Sequence, residues 1–407
     1  MKRIWIINQY ASTPDTGMGG RHHYLASGLA KLGYDVTLIA ASWHHLLRDG
    51  VDDAPEIEAR DGYTFVRVPV PKYAHAHDKR RILNWLIFGH RLRYLPKRLG
   101  TKPDVILYSS LSLLGFNGAY RLARKIKARF VFEVRDIWPL TLVEVGGQSP
   151  RHPLLRWMQH VEDKAYRLSD AVVSNLPNAV SHMVSRGMGQ DKFTWIPNGV
   201  SLSEVDNPET LSPDMAAQLP VGKFTVGYTG TLGAANALDT LIDAAVQLTH
   251  LPEIAFVLVG KGRDKDRLVA RVDQLKLQNV YFVDAIPKQQ IQSMLASFDA
   301  CVLCWHKLPL YRFGTSANKI PEYLYSGKPV LNAFTGFGDL VTKYNAGLQV
   351  EAEDPDALAA AVLKFYNMSV ADRAAMGAAG RRAVLMHHEY GALAKKLEAV
   401  LMPDESV

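Results

Sequence analysis

The 407-residue chain is 48% hydrophobic and 21% charged and has two cysteines, which excludes a disordered chain, poorer in apolar residues, and a disulfide scaffold, richer in cysteine. Its length suits two domains or one large one. The formal charge of +7 is unevenly divided: residues 1–200 hold 28 Lys+Arg against 17 Asp+Glu, net +11, so the remaining 19 against 23 carry −4, and the two halves attract different partners.

Lys2-Arg3 and the apolar Ile4–Ile7 that follows stop at Asn8, too early for a signal peptide, and read as a buried first strand. No apolar run approaches the ~18 residues of a membrane span, so integral insertion is not expected, and the scarcity of cysteine fits a reducing cytoplasm. Further strands are expected at 36–41, 64–68, 105–108, 130–134, 171–174 and 193–196, with helical patterns between most of them. Residues 200–221, broken by Pro208, Pro213 and Pro220, show neither period and read as a linker. The same grammar then restarts, with strands at 224–228, 255–259, 280–283, 300–303, 330–331 and 348–350. Helices open after Asn236, after Asp264, at Pro287 and after Asp354-Pro355, where Asp is the N-cap and Pro the first helical residue. Residues 372–401 read as two more helices. The expected architecture is α/β, with two Rossmann-like doubly wound parallel-sheet domains facing a cleft: 1–199, a linker 200–221, 222–385, and a C-terminal helix in 386–407 that packs back on the first domain. Cys301 and Cys304 lie three apart in one predicted strand, so they face opposite ways and read as core rather than as a redox or zinc pair.

Ligands of open α/β sheets bind at the carboxyl ends of strands, which directs attention to four turns. Gly17-Met18-Gly19-Gly20 opens a helix whose first turn carries His22-His23, and glycines there let backbone N–H groups approach an anion. Gly230-Thr231-Leu232-Gly233 is the equivalent turn of the second half, Gly260-Lys261-Gly262-Arg263 adds two cations, and Gly314-Thr315-Ser316-Ala317-Asn318-Lys319 joins hydroxyls, an amide and a lysine. Each alone is also what a strand-to-helix turn needs sterically. Together they point to phosphate binding. A nicotinamide fingerprint is incomplete, since Lys265 stands where the third glycine belongs, and there is no P-loop. Adjacent histidines face different ways, which argues against metal binding, and Asp264-Lys265-Asp266 reads as a helix cap rather than a metal-binding D-x-D.

These turns, with Ile196-Pro197-Asn198-Gly199-Val200 and Glu322-Tyr323-Leu324-Tyr325-Ser326-Gly327-Lys328-Pro329-Val330, resemble glycosyltransferase family 4 on the GT-B fold over nearly the whole chain. Glu133-Val134-Arg135-Asp136-Ile137-Trp138-Pro139 and Ser316-Ala317-Asn318-Lys319-Ile320-Pro321-Glu322 resemble the bacterial O-antigen and capsule subgroup, including transferases of N-acetylfucosamine-type sugars. The resemblance implies metal-independent, retaining hexosyl transfer from a nucleotide-sugar, UDP-linked, to a saccharide or polyprenyl-diphosphate-linked acceptor in lipopolysaccharide or capsule synthesis. It implies no cofactor beyond the donor substrate.

Carried onto this chain, Glu322 is the second Glu of the family's E-x7-E motif and would accept hydrogen bonds from the ribose hydroxyls. Ser316, Asn318 and Lys319 would hold the donor diphosphate, with Lys319 stabilising the leaving group. Gly19, Gly20, His22, Gly230, Thr231 and Arg263 complete the expected substrate contacts, and Ile286 lies beside the base. Arg135 and Asp136, at a strand end, are the expected catalytic pair on the acceptor side. Two departures stand out. Gly314 replaces the first Glu of the motif, which suggests a donor modified where that carboxylate would act, such as an acetamido or deoxy sugar. The family's Arg and Lys after the second-domain turn correspond to Thr231 and about Asn236.

Residues 72–102 hold nine Lys+Arg against Asp78 alone, interleaved with Trp85, Phe88, Tyr94 and leucines. They read either as a cationic amphipathic surface for an anionic leaflet, making the enzyme peripheral at the inner face of the plasma membrane, or as a core-packed helix with a solvated basic face. A nucleotide-sugar 2-epimerase of the same fold and a basic nucleic-acid-binding protein stand as rival readings. The second lacks any RRM, helix-turn-helix or zinc signature.

Overall fold

A computed structural model describes residues 1–17, 20–48, 55–75 and 78–403. The chain divides into two compact units, Met1–Asn198 with Tyr390–Val407, and Gly199–Glu389.

The first unit is built on an eight-stranded sheet: β1 (Arg3–Ile7), β2 (Asp35–Ala41), β3 (Ile57–Arg60), β4 (Tyr63–Val68), β5 (Val105–Ser109), β6 (Arg129–Val134), β7 (Ala171–Ser174) and β8 (Phe193–Trp195). Their order is β3-β4-β2-β1-β5-β6-β7-β8, all parallel except the β3–β4 hairpin. The central strands are near-continuous apolar runs because helices cover both faces. Strand β3 is absent from the predicted elements: Ile-Glu-Ala-Arg has one large apolar residue, and Ile57 is exposed at the sheet edge. The hairpin turns at Asp61-Gly62, where both residues have positive φ, as a two-residue hairpin turn requires.

The C-terminal helix Tyr390–Leu401 buries Tyr390, Leu393, Ala394, Leu397 and Leu401 in the core of the first unit. Gly28 makes this close packing possible, since a Cβ there would lie 2.6 Å from that of Ala394.

The second unit carries β9 (Phe224–Thr229), β10 (Ile254–Val259), β11 (Val280–Val283), β12 (Ala300–Cys304), β13 (Val330–Ala333) and β14 (Gly347–Val350), all parallel, in the order β11-β10-β9-β12-β13-β14. Cys301 and Cys304 occupy opposite faces of β12 in two separate core clusters, and burial pushes each thiol up to about 12. The Asp354 carboxylate accepts from Ala357 N–H at 2.9 Å and caps its helix. Asp264 does not cap; its carboxylate faces Arg267 at 3.5 Å.

Residues 200–221 are not a free linker. They form short helices at Leu202–Val205 and Pro213–Ala216, and Val200, Val205, Leu211, Met215 and Leu219 pack into the core of the second unit. The prolines break periodicity without preventing burial. Residues 386–389 also stay with this unit, where the Val200 N–H donates to His388 O at 2.8 Å.

Candidate active site

In the second unit the strand order reverses between β9 and β12, the switch point where an open α/β sheet binds its ligand beyond the strand ends. The Gly230 and Gly260 turns meet there. Both glycines have φ near +145°, and a Cβ on Gly260 would overlap the Gly230 carbonyl. Leu232 N–H donates to Lys261 O at 3.0 Å and Asp264 N–H to Leu232 O at 3.1 Å, joining the turns backbone to backbone. Gly230 N–H is already donated to Val259 O at 2.9 Å, so this glycine offers no free N–H to a phosphate. Its part is steric: a Cβ at 230 would lie 2.8 Å from Lys319 Nζ.

Lys319 and Glu322 stand three residues apart on the helix Lys319–Tyr325 and therefore share a face. Lys319 Nζ donates to Tyr228 Oη at 2.6 Å and Asn236 Oδ1 at 3.1 Å. Burial lowers the ammonium to about 8, with Glu322 opposing. Burial raises the Glu322 carboxyl; Lys288 and Lys319 pull it down while Glu204 adds to the rise. Among the described residues no side chain donates a hydrogen bond to this carboxylate, so its acceptor capacity is open.

Gly314 ends the short 3-10 helix Pro309–Phe313 with φ +88°, and its N–H donates to Tyr311 O at 2.9 Å. This φ strains any L residue, so the backbone at 314 favours glycine. Ser316 is half-buried, Asn318 exposed just before the helix, Ile286 half-buried after β11, and Thr231 exposed beyond β9. Arg263 is exposed beyond β10, with no partner among the described residues.

In the first unit, Gly20 opens the helix Arg21–Lys31, and Gly19 lies outside the described residues. His22 is not a surface group: it is 2% exposed, and its Nε2 lies 2.6 Å from Glu133 Oε2. Arg21 Nε donates to Glu133 Oε1 at 2.9 Å, and its terminal nitrogens donate to the carbonyls of Ile196 and Pro197 and to Asn198 Oδ1. Glu133, 1% exposed, thus neutralises a buried cluster, and its partners hold its carboxyl well below the usual range. Burial pulls His22 down, against the pull of Glu133. The Nε2 of His22 is therefore engaged within the fold.

Just past the end of β6 the pattern changes. Arg135 N–H donates to Ser110 Oγ at 3.1 Å while its Nε is buried without a hydrogen-bond partner. Asp136 is exposed, and the surrounding protein raises its carboxyl above the ordinary aspartate value, with Arg135 opposing.

Arg21, Tyr228, Asn236, Lys288 and Glu204 escape sequence reasoning. The correspondence of Asn236 with a family lysine was the one available signal. Among the described residues no group of three His, Cys, Asp or Glu could hold a metal, and no helix is long and apolar enough to cross a membrane. In the basic segment, the helix Arg80–Arg91 and its continuation Leu95–Leu99 bury Trp85, Phe88, Leu92 and Leu95. Leu83 (55% exposed), Leu86 (38%) and Tyr94 (51%) are left outward beside exposed Lys79, Arg80 and Lys97. The core-packed reading holds for the larger apolar residues, and a smaller outward strip remains.

Two families match consecutive parts of the chain: the Glycosyl transferase 4-like domain over residues 16–199 and Glycosyl transferases group 1 over residues 214–383. The putative teichuronic acid biosynthesis glycosyltransferase TuaC of Bacillus subtilis is 25% identical over 424 residues, covering 97% of this chain and 99% of that one. Sucrose-phosphate synthase from Thermosynechococcus elongatus superposes with a TM-score of 0.75 at 19% identity over 98% of each chain. HepE from Anabaena in complex with UDP-glucose gives 0.67 at 15% identity over 98% of this chain and 99% of that one. With both halves matched in order and the fold shared throughout, the chain is a family 4 glycosyltransferase of the GT-B fold.

Proposed function

We propose that the protein transfers a hexosyl group with retention from a UDP-sugar to a saccharide or polyprenyl-diphosphate-linked acceptor in the synthesis of a cell-surface polysaccharide, lipopolysaccharide or capsule. The observation that carries this reading is the Lys319–Glu322 pair at the β9/β12 switch point. A carboxylate with open acceptor capacity suits the two ribose hydroxyls. Lys319, Ser316, Asn318 and Arg263 suit a diphosphate. As the anomeric C1–O bond breaks, its electron pair passes to the phosphate oxygen, and a fixed ammonium there lowers the barrier. Asp136 orients the acceptor hydroxyl, and Arg135 opposes the rise of its carboxyl that burial causes. TuaC, a putative teichuronic acid biosynthesis glycosyltransferase, supports a cell-surface polysaccharide product, and HepE, solved with UDP-glucose, supports a UDP-linked donor.

Gly314 makes the donor an acetamido or deoxy sugar, because the chain lacks the carboxylate that would bind the unmodified hydroxyls and its backbone there favours glycine. Incubation with a panel of sugar nucleotides and a lipid-linked acceptor library, followed by product analysis, tests both statements. Turnover only with unmodified glucose or mannose donors overturns the donor assignment. Conversion of the nucleotide-sugar without acceptor replaces transfer by epimerisation.

The outward Leu83, Leu86 and Tyr94, with the exposed Lys79, Arg80 and Lys97 of the same segment, adsorb to an anionic leaflet, the apolar side chains entering the interface and the cations meeting lipid phosphates. Flotation with phosphatidylglycerol vesicles at low salt shows binding that is lost in Leu83→Ser/Leu86→Ser. Absence of binding, or binding indifferent to that change, removes the membrane role.

A further inference from the structure

Two neutral side chains of the first strand and turn of the second unit converge on Lys319. Its ammonium has three N–H donors, and two of them are taken by Tyr228 Oη and Asn236 Oδ1. Each acceptor is itself held. The Tyr228 hydroxyl donates to the Thr231 carbonyl at 2.8 Å, and Asn236 Nδ2 donates to the same carbonyl at 2.9 Å. Four hydrogen bonds thus close a cycle in which one backbone carbonyl orients both groups that grip the amine. Gly230 leaves the space through which the lysine passes.

We propose that Tyr228 and Asn236 are positioning residues that hold Lys319 with its third N–H directed to the donor's diphosphate. This rests on the reading that Lys319 meets the diphosphate. Both anchors are neutral, which matters: an Asp or Glu in either place would fix the amine equally well but cancel the charge that the phosphate needs. A long, flexible lysine is thereby converted into a preorganised donor, and preorganised groups stabilise developing charge without reorganising during the reaction. Thr231 contributes through its carbonyl, whatever its side chain. This accounts for a second-domain turn without the family's cations, since the one lysine is imported from the helix beyond β12 and tied to that turn.

The test uses as probes the tightest-binding of UDP, GDP, ADP and TDP together with its parent nucleoside, measured by calorimetry on the full chain, with thermal unfolding run in parallel. Lys319→Ala weakens the diphosphate about 10- to 100-fold and leaves the nucleoside unchanged, the loss expected for a charge-assisted hydrogen bond. Tyr228→Phe and Asn236→Ala each weaken it about 3- to 10-fold, as for a neutral hydrogen bond. Asn236→Asp weakens it at least as much although it keeps the acceptor. In the Lys319→Ala background, Tyr228→Phe has no further effect, a non-additivity that a merely structural tyrosine does not produce. Should Tyr228→Phe fail to fold, Asn236→Ala/Lys319→Ala supplies the same cycle. Additive losses, or wild-type affinity in Tyr228→Phe and Asn236→Ala while Lys319→Ala is impaired, overturn the positioning role alone. Wild-type diphosphate affinity in Lys319→Ala, or no nucleoside diphosphate bound at all, overturns the reading beneath it.

Discussion

Glu133 and Glu322 are both carboxylates near a strand or helix that faces a sheet's carboxyl end, yet they are held in opposite ways. Glu133 accepts from Arg21 and His22 at 2.9 and 2.6 Å and lies 1% exposed. Its charge is spent within the fold. Glu322 has cations in its field but, among the described residues, no side-chain donor on its oxygens, and burial raises its carboxyl where partners lower that of Glu133. The same contrast separates Arg21, which is paired with the Glu133 carboxylate and bonds three further acceptors of its own unit, from Lys319, whose two acceptors are both neutral. A buried charge hydrogen-bonded to a counter-charge within the fold belongs to the architecture. One without such a partner is available to a ligand.

The largest effect should come from breaking the buried cluster. Glu133→Ala leaves Arg21 buried without its counter-charge, and loss of one partner of a buried pair costs about 3–5 kcal/mol. Thermal unfolding should show a strongly lowered transition; an unchanged melting temperature with lost activity would instead move Glu133 into the chemistry. Lys319→Ala should do the reverse, reducing kcat by a factor of about 100 or more, as for removal of one preorganised donor, with melting unchanged or raised. Because the Lys319 ammonium is lowered to about 8, it is charged below that pH and neutral above it. Diphosphate affinity should therefore fall as pH rises through about 8, and Lys319→Arg, charged throughout, should flatten the profile.

Glu322→Gln sharpens the other half of the contrast. It should weaken the nucleoside and the nucleoside diphosphate alike, by about 10-fold, since the ribose is common to both. An effect confined to the diphosphate would move Glu322 away from the ribose. The smallest effect is expected at His306, whose ring nitrogens lie 2.6 Å from Glu353 Oε1 and 2.5 Å from Ala234 O, beside the turn that carries Asn236. Its pKa is raised, first by the hydrogen bond to Glu353. The stabilisation is full below pH 6.5, the ordinary histidine value, and is lost as pH rises through the raised one. The pair is well exposed and screened, so His306→Gln should cost only about 0.5 kcal/mol, seen as a small loss of melting temperature at pH 6 that vanishes at high pH.

Thirteen of the fourteen strands could be read from the chain because the interior of a parallel sheet demands unbroken apolar runs. The missing one, β3, sits at an edge, where Glu58 and Arg60 are tolerated and burial imposes no pattern. The stretch at 200–221 misleads in the opposite way, since proline erases periodicity while Val205 and Leu211 still find a core. In the candidate site, Lys319, Glu322 and Asp136 stood out by residue type and place. His22 stood out equally, yet the structure gives it to Glu133.

The sequence by itself determined the two-part α/β architecture, the turns at the strand ends and the family, because these follow from local periodicity and contiguous motifs. Only the tertiary structure decided which charges are spent. Arg21 reaches carbonyls 175 and 176 residues away, and Lys319 reaches Tyr228 across 91. Whether a charged group is paired within the fold or open depends on what long-range packing brings within about 3 Å of it, and no local pattern encodes that distance.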